Sequence, residues 1–348
     1  MRIGQRVSLS TAAAAALRLR ELGIAVALLV AFLVFSLRAD AFLTTGNWRN
    51  ISVSAAVVVA VAVGQTMVVL TRNIDLSVGS IVGLSAFISA DTLSAHNGLP
   101  IAVVAGIAMS VGLVCGLFNG LLVTIGRVPA IIATLGTLYV FRGLVHQVSG
   151  GSQVLAFELP ASFKEFALRE VAGVPALTVI AIVVAVLGAV ALRWTHWGRD
   201  FYAIGSNPEA AELSGIPVGR RVLLAFAISG TLAGLGGFMY ASRFANVSAA
   251  SGSGFEFDVI SAVVIGGVNV FGGVGTVLGA VLGALFIAVI ENGFTLLRIN
   301  EFWKTAFQGF AIVAAVTVDA LVTRRLQEAL RQRRRREARA ASHAEAAT

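Results

Sequence analysis

The chain has 348 residues, of which 57% are hydrophobic and 13% charged, with a mean hydropathy of +0.88 and a formal net charge of +8. Soluble domains carry roughly 25% charged residues, so this composition excludes a soluble fold and implies an all-α polytopic membrane protein. The positive charge does not mark a nucleic-acid binder: the basic residues gather near the N-terminus, in one central loop and in the tail "RRLQEALRQRRRREARA", as orientation by cytoplasmic Lys and Arg requires.

Residues 1–20 read as a cytoplasmic segment, with Arg18 and Arg20 ahead of an apolar run that resembles a signal peptide. No convincing small-residue cleavage site follows, so this run is expected to stay as the first span. Apolar runs of about 20 residues suffice to cross ~30 Å of hydrocarbon. They predict ten spans near residues 21–37, 51–70, 77–93, 101–125, 130–148, 174–193, 222–242, 257–271, 274–296 and 303–322. The transmembrane domain is therefore 21–322, followed by a basic cytoplasmic tail at 323–348. The region "IGGVNVFGGVG" is a turn or an interrupted helix, and its glycines also suit close helix packing in lipid. With both termini cytoplasmic, 18 Lys and Arg lie inside and 8 outside or at outer span edges, accounting for all 26. That is the expected bias.

Between the second and third spans stands "TRNIDLSVGS". Asn73 tolerates the left-handed conformation that ends helices, and Asp75 or Ser77 can accept from the first backbone donors of the next helix. The uncharged stretch from Val78 to Ala90 is short for a crossing, and a short or broken span points to a translocation region. Asp75 and Ser77 are therefore candidate path residues, although a plain cytoplasmic turn accounts for the same spacing. A shift of 173 residues superposes Gly64 on Gly237, Gly106 on Gly279, Asn119-Gly120 on Asn292-Gly293 and Gly136 on Gly309. The shift equals five spans, so the second copy is inverted, a common transporter plan. Asn119 and Asn292 either bridge helices or face a shared solute path.

The longest inward loop, 193–221, contains "SNPEAAELSGIPVG". Asn207 suits an N-cap, Pro208 the first helical position and Glu209 the positive helix end. Gly215 and Pro217 stop the helix. A helix of two turns is unstable alone and must dock on something, either a partner or this protein's own inner surface. Cys115 is alone, the four histidines lack metal-ligand spacing, and no G-x-x-x-x-G-K-[ST] phosphate loop is present. No cofactor or metal is expected, nor any catalytic constellation.

Glu209-Ala210-Ala211 followed by Gly215 resembles the EAA-x-x-x-G signature of permease subunits of ATP-binding-cassette importers. "GQTMVVLTRNIDLSVGSIVGLSA", "LAGLGG" and "VIGGVNVFGGVGTVLGA" are similar to segments of the ribose-type sugar permeases, over about Ile51 to Leu321. "TRNIDLSVGS" looks closest to rhamnose or autoinducer-2 type permeases. The resemblance implies a subunit in a bacterial inner membrane that passes a monosaccharide or small polyol by alternating access. It also implies two ATP-binding subunits, a second permease subunit as homo- or heterodimer, and an external sugar-binding protein. Residues 207–217 would be the coupling helix. The alternative is an ion-coupled secondary transporter, which needs titratable groups at depth. Asp75, Asp258, Glu291 and Asp319 are its only candidates, and all lie near span ends.

Overall fold

The computed structural model describes residues 3–300, 302–314 and 317, with side chains described from residue 21 onward. The 323–348 tail and the end of the expected 303–322 span lie outside the described residues, although 302–314 are helical. In chain order the helices are α1 (Ile3–Arg38), α2 (Thr45–Leu70), α3 (Val78–Ala95), α4 (Ile101–Thr124), α5 (Ala130–Ser149), α6 (Ala161–Phe166) and α7 (Ala176–Trp194). They continue with α8 (His196–Ser206), α9 (Pro208–Leu213), α10 (Val218–Phe244), α11 (Phe255–Ile265) and α12 (Val277–Leu296). A two-stranded antiparallel ribbon, β1 (Glu170–Val171) with β2 (Val174–Pro175), precedes α7.

Among the described residues eight helices are long and apolar enough to cross a membrane: α1 from Glu21, α2, α3, α4, α5, α7, α10 and α12. The expected 257–271 span is not one of them. α11 has 11 residues, about 16 Å at 1.5 Å per residue. The chain beyond it is loop, with Gly267, Gly272, Gly273 and Gly275 at positive φ. Those glycines therefore serve backbone geometry more than the helix packing expected of them.

The centre of the bundle is α2, almost wholly buried, packed against α10, which also covers α3 and α4. Without a hydrophobic force between helices in lipid, close approach depends on small residues. Gly112 and Gly116 on α4 face Gly230 and Gly234 on α10, each set four residues apart. A Cβ at Gly112 would overlap the Gly230 carbonyl, and one at Gly234 the Ala108 carbonyl.

Two sets of connections mark the ends of the bundle. At one end lie the α2–α3 turn, α8–α9 and the loop before α12, joined by Gly273 N–H donating to Leu70 O at 3.0 Å. At the other end, Arg49 pairs with Glu170, Val154 bridges Val247, and Arg142 of α5 donates to Ser251 O at 2.7 Å. The 173-residue offset carries α2 onto the span of α10 to within a residue. Arg72 and Ala245, also 173 apart, both adopt positive φ just past those helices.

Candidate functional site

The helix expected after Asn207 forms as α9. Asn207 caps it, its side chain accepting from Ala210 N at 3.1 Å, and Pro208 occupies the first turn. Gly215 stops it at φ +82°, where a side chain would be strained. Ala211 is buried, whereas Glu209, Ala210, Glu212 and Gly215 are exposed and Leu213 is 91% exposed. α9 therefore lies with Ala211 toward the bundle and offers one apolar side chain flanked by two acids.

Sequence reasoning missed α8, which carries α9. Its signal was present in the apolar spacing of Trp197, Phe201 and Ile204. Thr195 caps α8 by accepting from Gly198 N at 3.0 Å, and Trp197 packs edge-on against Phe201 with centroids 5.5 Å apart. Asp200 pairs with Arg221 of α10 at 2.7 Å, and Tyr202 Oη donates to Gly275 O at 2.9 Å. Arg72 closes the other end. Its Nε donates to Gly205 O at 2.6 Å and its Nη2 to Ser206 O at 2.9 Å, satisfying two of the carbonyls a helix leaves open at its C-terminus.

The α2–α3 turn differs from expectation at one residue. Arg72, not Asn73, takes the left-handed conformation, at φ +65°. The Asn73 amide instead donates to Thr71 O at 2.9 Å, and the clasped guanidinium holds Arg72 where it is. Asp75, Ser77 and Asn119 come together and are all 0% exposed. Asp75 Oδ1 accepts from Ser77 N at 2.9 Å and Ser77 Oγ at 2.6 Å, and Asn119 Nδ2 donates to Ser77 Oγ at 2.7 Å. Ser77 occupies the N-cap position of α3 but its side chain makes no capping bond. Thr134 of α5 donates to Ile74 O and accepts from Leu76 N, both at 3.1 Å. This turn lies outside both flanking spans, and burial pushes the Asp75 carboxyl up to about 6 against the lowering hydrogen bonds from Ser77 and Asn119.

Asn292 is not part of this cluster. It exchanges amide hydrogen bonds with Asn47 of α2 at the other end of the bundle, at 2.9 and 2.7 Å. There it lines a cavity of about 560 Å³ between α2, α10, α11 and α12. The cavity wall carries two cations and two anions, Arg243, Lys304, Asp258 and Glu291. Lys304 pairs with Glu291 at 2.9 Å, Gln308 donates to Asp258, and the Arg243 guanidinium sits 4.7 Å over the Phe244 ring. By formal count the two cations and two anions offset one another. Among the described residues no group of three or more His, Cys, Asp or Glu is placed to hold a metal.

A family model described as "Branched-chain amino acid transport system / permease component" matches residues 47–316. The chain is similar to the autoinducer 2 import system permease protein LsrC of Enterobacter sp. (strain 638), 38% identical over 319 residues, covering 92% of this chain and 91% of that one. The LsrC proteins of Salmonella typhi and Escherichia coli O157:H7 are 35% and 36% identical over 315 residues. Each alignment covers 90% of this chain and 90% or 91% of theirs. No solved structure matches.

Proposed function

We propose that this chain, which belongs to the family of branched-chain amino acid transport system permease components, forms the path for a small sugar-type solute through an ATP-driven importer. As a permease component it is not itself an enzyme, and ATP hydrolysis falls to a separate subunit. The solute class follows from the cargo named for its relatives, autoinducer 2. The observation that carries the reading is α9, a capped helix too short to be stable alone, presenting Leu213, Glu209 and Glu212 on an exposed face.

In this reading α9 is the coupling helix. Asn207, Glu209, Ala210, Ala211 and Gly215 build it, and it inserts into a groove of the ATP-binding subunit. The face bearing α8 and α9 is then cytoplasmic, both termini lie on that side of a bacterial inner membrane, and the ten expected crossings, with α11 and the loop after it standing for the 257–271 span, are two inverted halves of five. The helix bounds 173 residues apart and the paired positive φ at Arg72 and Ala245 support that repeat. The solute enters from an external binding protein at the cavity lined by Asn292. It leaves between two permease subunits whose inner ends are governed by the turn containing Asp75 and Ser77 and by Asn119. Two ATP-binding subunits complete the assembly.

Reconstitution in liposomes tests this. With ATP-binding subunits and a binding protein supplied, autoinducer 2 or a labelled monosaccharide accumulates only when ATP is present. Accumulation driven by an imposed proton gradient, with the chain alone, would replace this reading with the ion-coupled transporter.

A further inference from the structure

Three connections distant in sequence meet under α8: the turn 71–77, the end of α8 at Gly205–Ser206, and the loop residues Gly272–Gly273. They meet with no room to spare. A Cβ at Gly205 would overlap both Leu70 O and Gly273 N, and one at Gly272 would press on the Arg72 side chain. Arg72 locks the junction with two hydrogen bonds to successive carbonyls, and the second of these belongs to Ser206, immediately before the cap of α9. From the same short turn Asp75 and Ser77 reach Asn119 on α4, while Ile74 and Leu76 grip Thr134 on α5. One end of the turn thus holds the helix that carries α9, and the other end is built into two membrane-spanning helices.

We propose that Arg72 is a positioning residue through which displacement of α9 is delivered to the inner ends of α4 and α5. This rests on the reading of α9 as the coupling helix. The junction is stiff. The turn is seven residues long, Asp75 and Ser77 within it are fully buried, and both its arms are held by directional hydrogen bonds. Packed elements held in this way move as units and do not deform gradually. Pulling on the Ser206 carbonyl therefore moves the turn, and the turn moves Asn119 and Thr134. Without Arg72, α8 and α9 remain attached to α10 through Asp200 and Arg221 and to the loop through Tyr202, and the loop still holds Leu70 O through Gly273 N, but the direct hydrogen bonds from α8 to the turn that grips α4 and α5 are cut.

The test uses the full importer, with its ATP-binding subunits, in nanodiscs and in a Cys115→Ser background. Spin labels are placed at Ser214→Cys at the end of α9 or at Ile125→Cys at the end of α4, each paired with a reference label at Leu187→Cys on α7. Distances are compared without nucleotide and after trapping with ATP and vanadate. In the wild-type background both distances are expected to shift on the order of 1–5 Å, the span from helix shifts to one-turn ratchets. Arg72→Ala should keep the α9 shift and lose the α4 shift, and Arg72→Lys, which retains a charged donor, should recover part of it. If Arg72→Ala prevents assembly, Asn119→Ala cuts the same connection at its far end and should give the same split. An α4 shift of wild-type size in these alanine variants would overturn the proposal while leaving α9 as the coupling helix. An α9 label that does not move on trapping in the wild-type background would overturn both.

Discussion

Asn47 and Asn292, 245 residues apart, each donate an amide hydrogen bond to the other's carbonyl oxygen, at 2.9 and 2.7 Å. Asn47 also donates to Phe42 O at 2.9 Å, so one reciprocal pair ties the start of α2 to the end of α12 beside the polar cavity. Asn47→Ala leaves the Asn292 amide without its partner, and Asn292→Ala does the same in reverse. Each single change should cost about 1 kcal/mol, within the range for cross-helix polar bonds in membranes. Both remove the same interaction, so the double variant should cost less than the sum by about 0.5 kcal/mol or more. Thermal unfolding of the four proteins in detergent measures this, and strictly additive losses would mean that the pair is not coupled.

The contact between α4 and α10 makes a sharper prediction. Gly112→Ala places a methyl group against the Gly230 carbonyl and should destabilise by about 1–3 kcal/mol, as overpacking does. Gly136→Ala on α5 meets nothing within 4 Å and should be neutral or slightly stabilising. Size-exclusion profiles after a heating series distinguish the two, and equal behaviour would contradict the close approach.

Asp75 gives the turn a pH dependence. Its folded-state pKa is raised to about 6 from 3.8, so the folded protein holds this proton more tightly than the unfolded chain does. Its contribution to stability is therefore fullest at pH values below about 4. It declines as pH rises through the window between 3.8 and 6, and stays lost above it. Asp75→Asn keeps an oxygen to accept from Ser77 and removes the titration. The difference in melting temperature between this variant and the wild type should widen in favour of the variant from pH 4 to pH 7. A difference that is flat over that range would show that the folded protein holds the Asp75 proton no more tightly than the unfolded chain does.

Eight of the ten spans were legible because long charge-free runs formed helices of membrane length, and the cap and stop of α9 were legible because Asn-Pro at one end and Gly at the other are local chemistry. The errors came where a distant partner decides. Asn73 is the better left-handed residue by intrinsic preference, yet Arg72 takes that conformation because Gly205 and Ser206, more than 130 positions away, hold its guanidinium. The 257–271 run has the composition of a span, but its glycines open into a loop that seats against Arg72 and Gly205. Asn119 and Asn292 match under the 173-residue offset, yet they lie at opposite ends of the bundle, where Ser77 holds the one and Asn47 the other.

At α9, Gly215→Val forces a β-branched residue into φ +82°, a strain of about 1–3 kcal/mol confined to the end of a short surface helix. Leu213→Glu changes a side chain that is 91% exposed and should leave the melting temperature of the isolated permease within about 1 °C, since surface changes usually stay within ±0.5 kcal/mol. Both variants should lower solute uptake by the assembled importer while the chain still reaches the membrane. Loss of the protein from the membrane fraction would instead assign α9 a role in folding.

The most direct test of the central claim is to tag the wild-type chain and the Leu213→Glu variant, crosslink both in native membranes, and quantify the ATP-binding subunit recovered with each. Comparable amounts of permease and ATP-binding subunit from the wild type, with most of that partner lost from the variant, is the result this account predicts. Undiminished recovery with Leu213→Glu, or a folded chain that brings down no ATP-binding subunit at all, would contradict it.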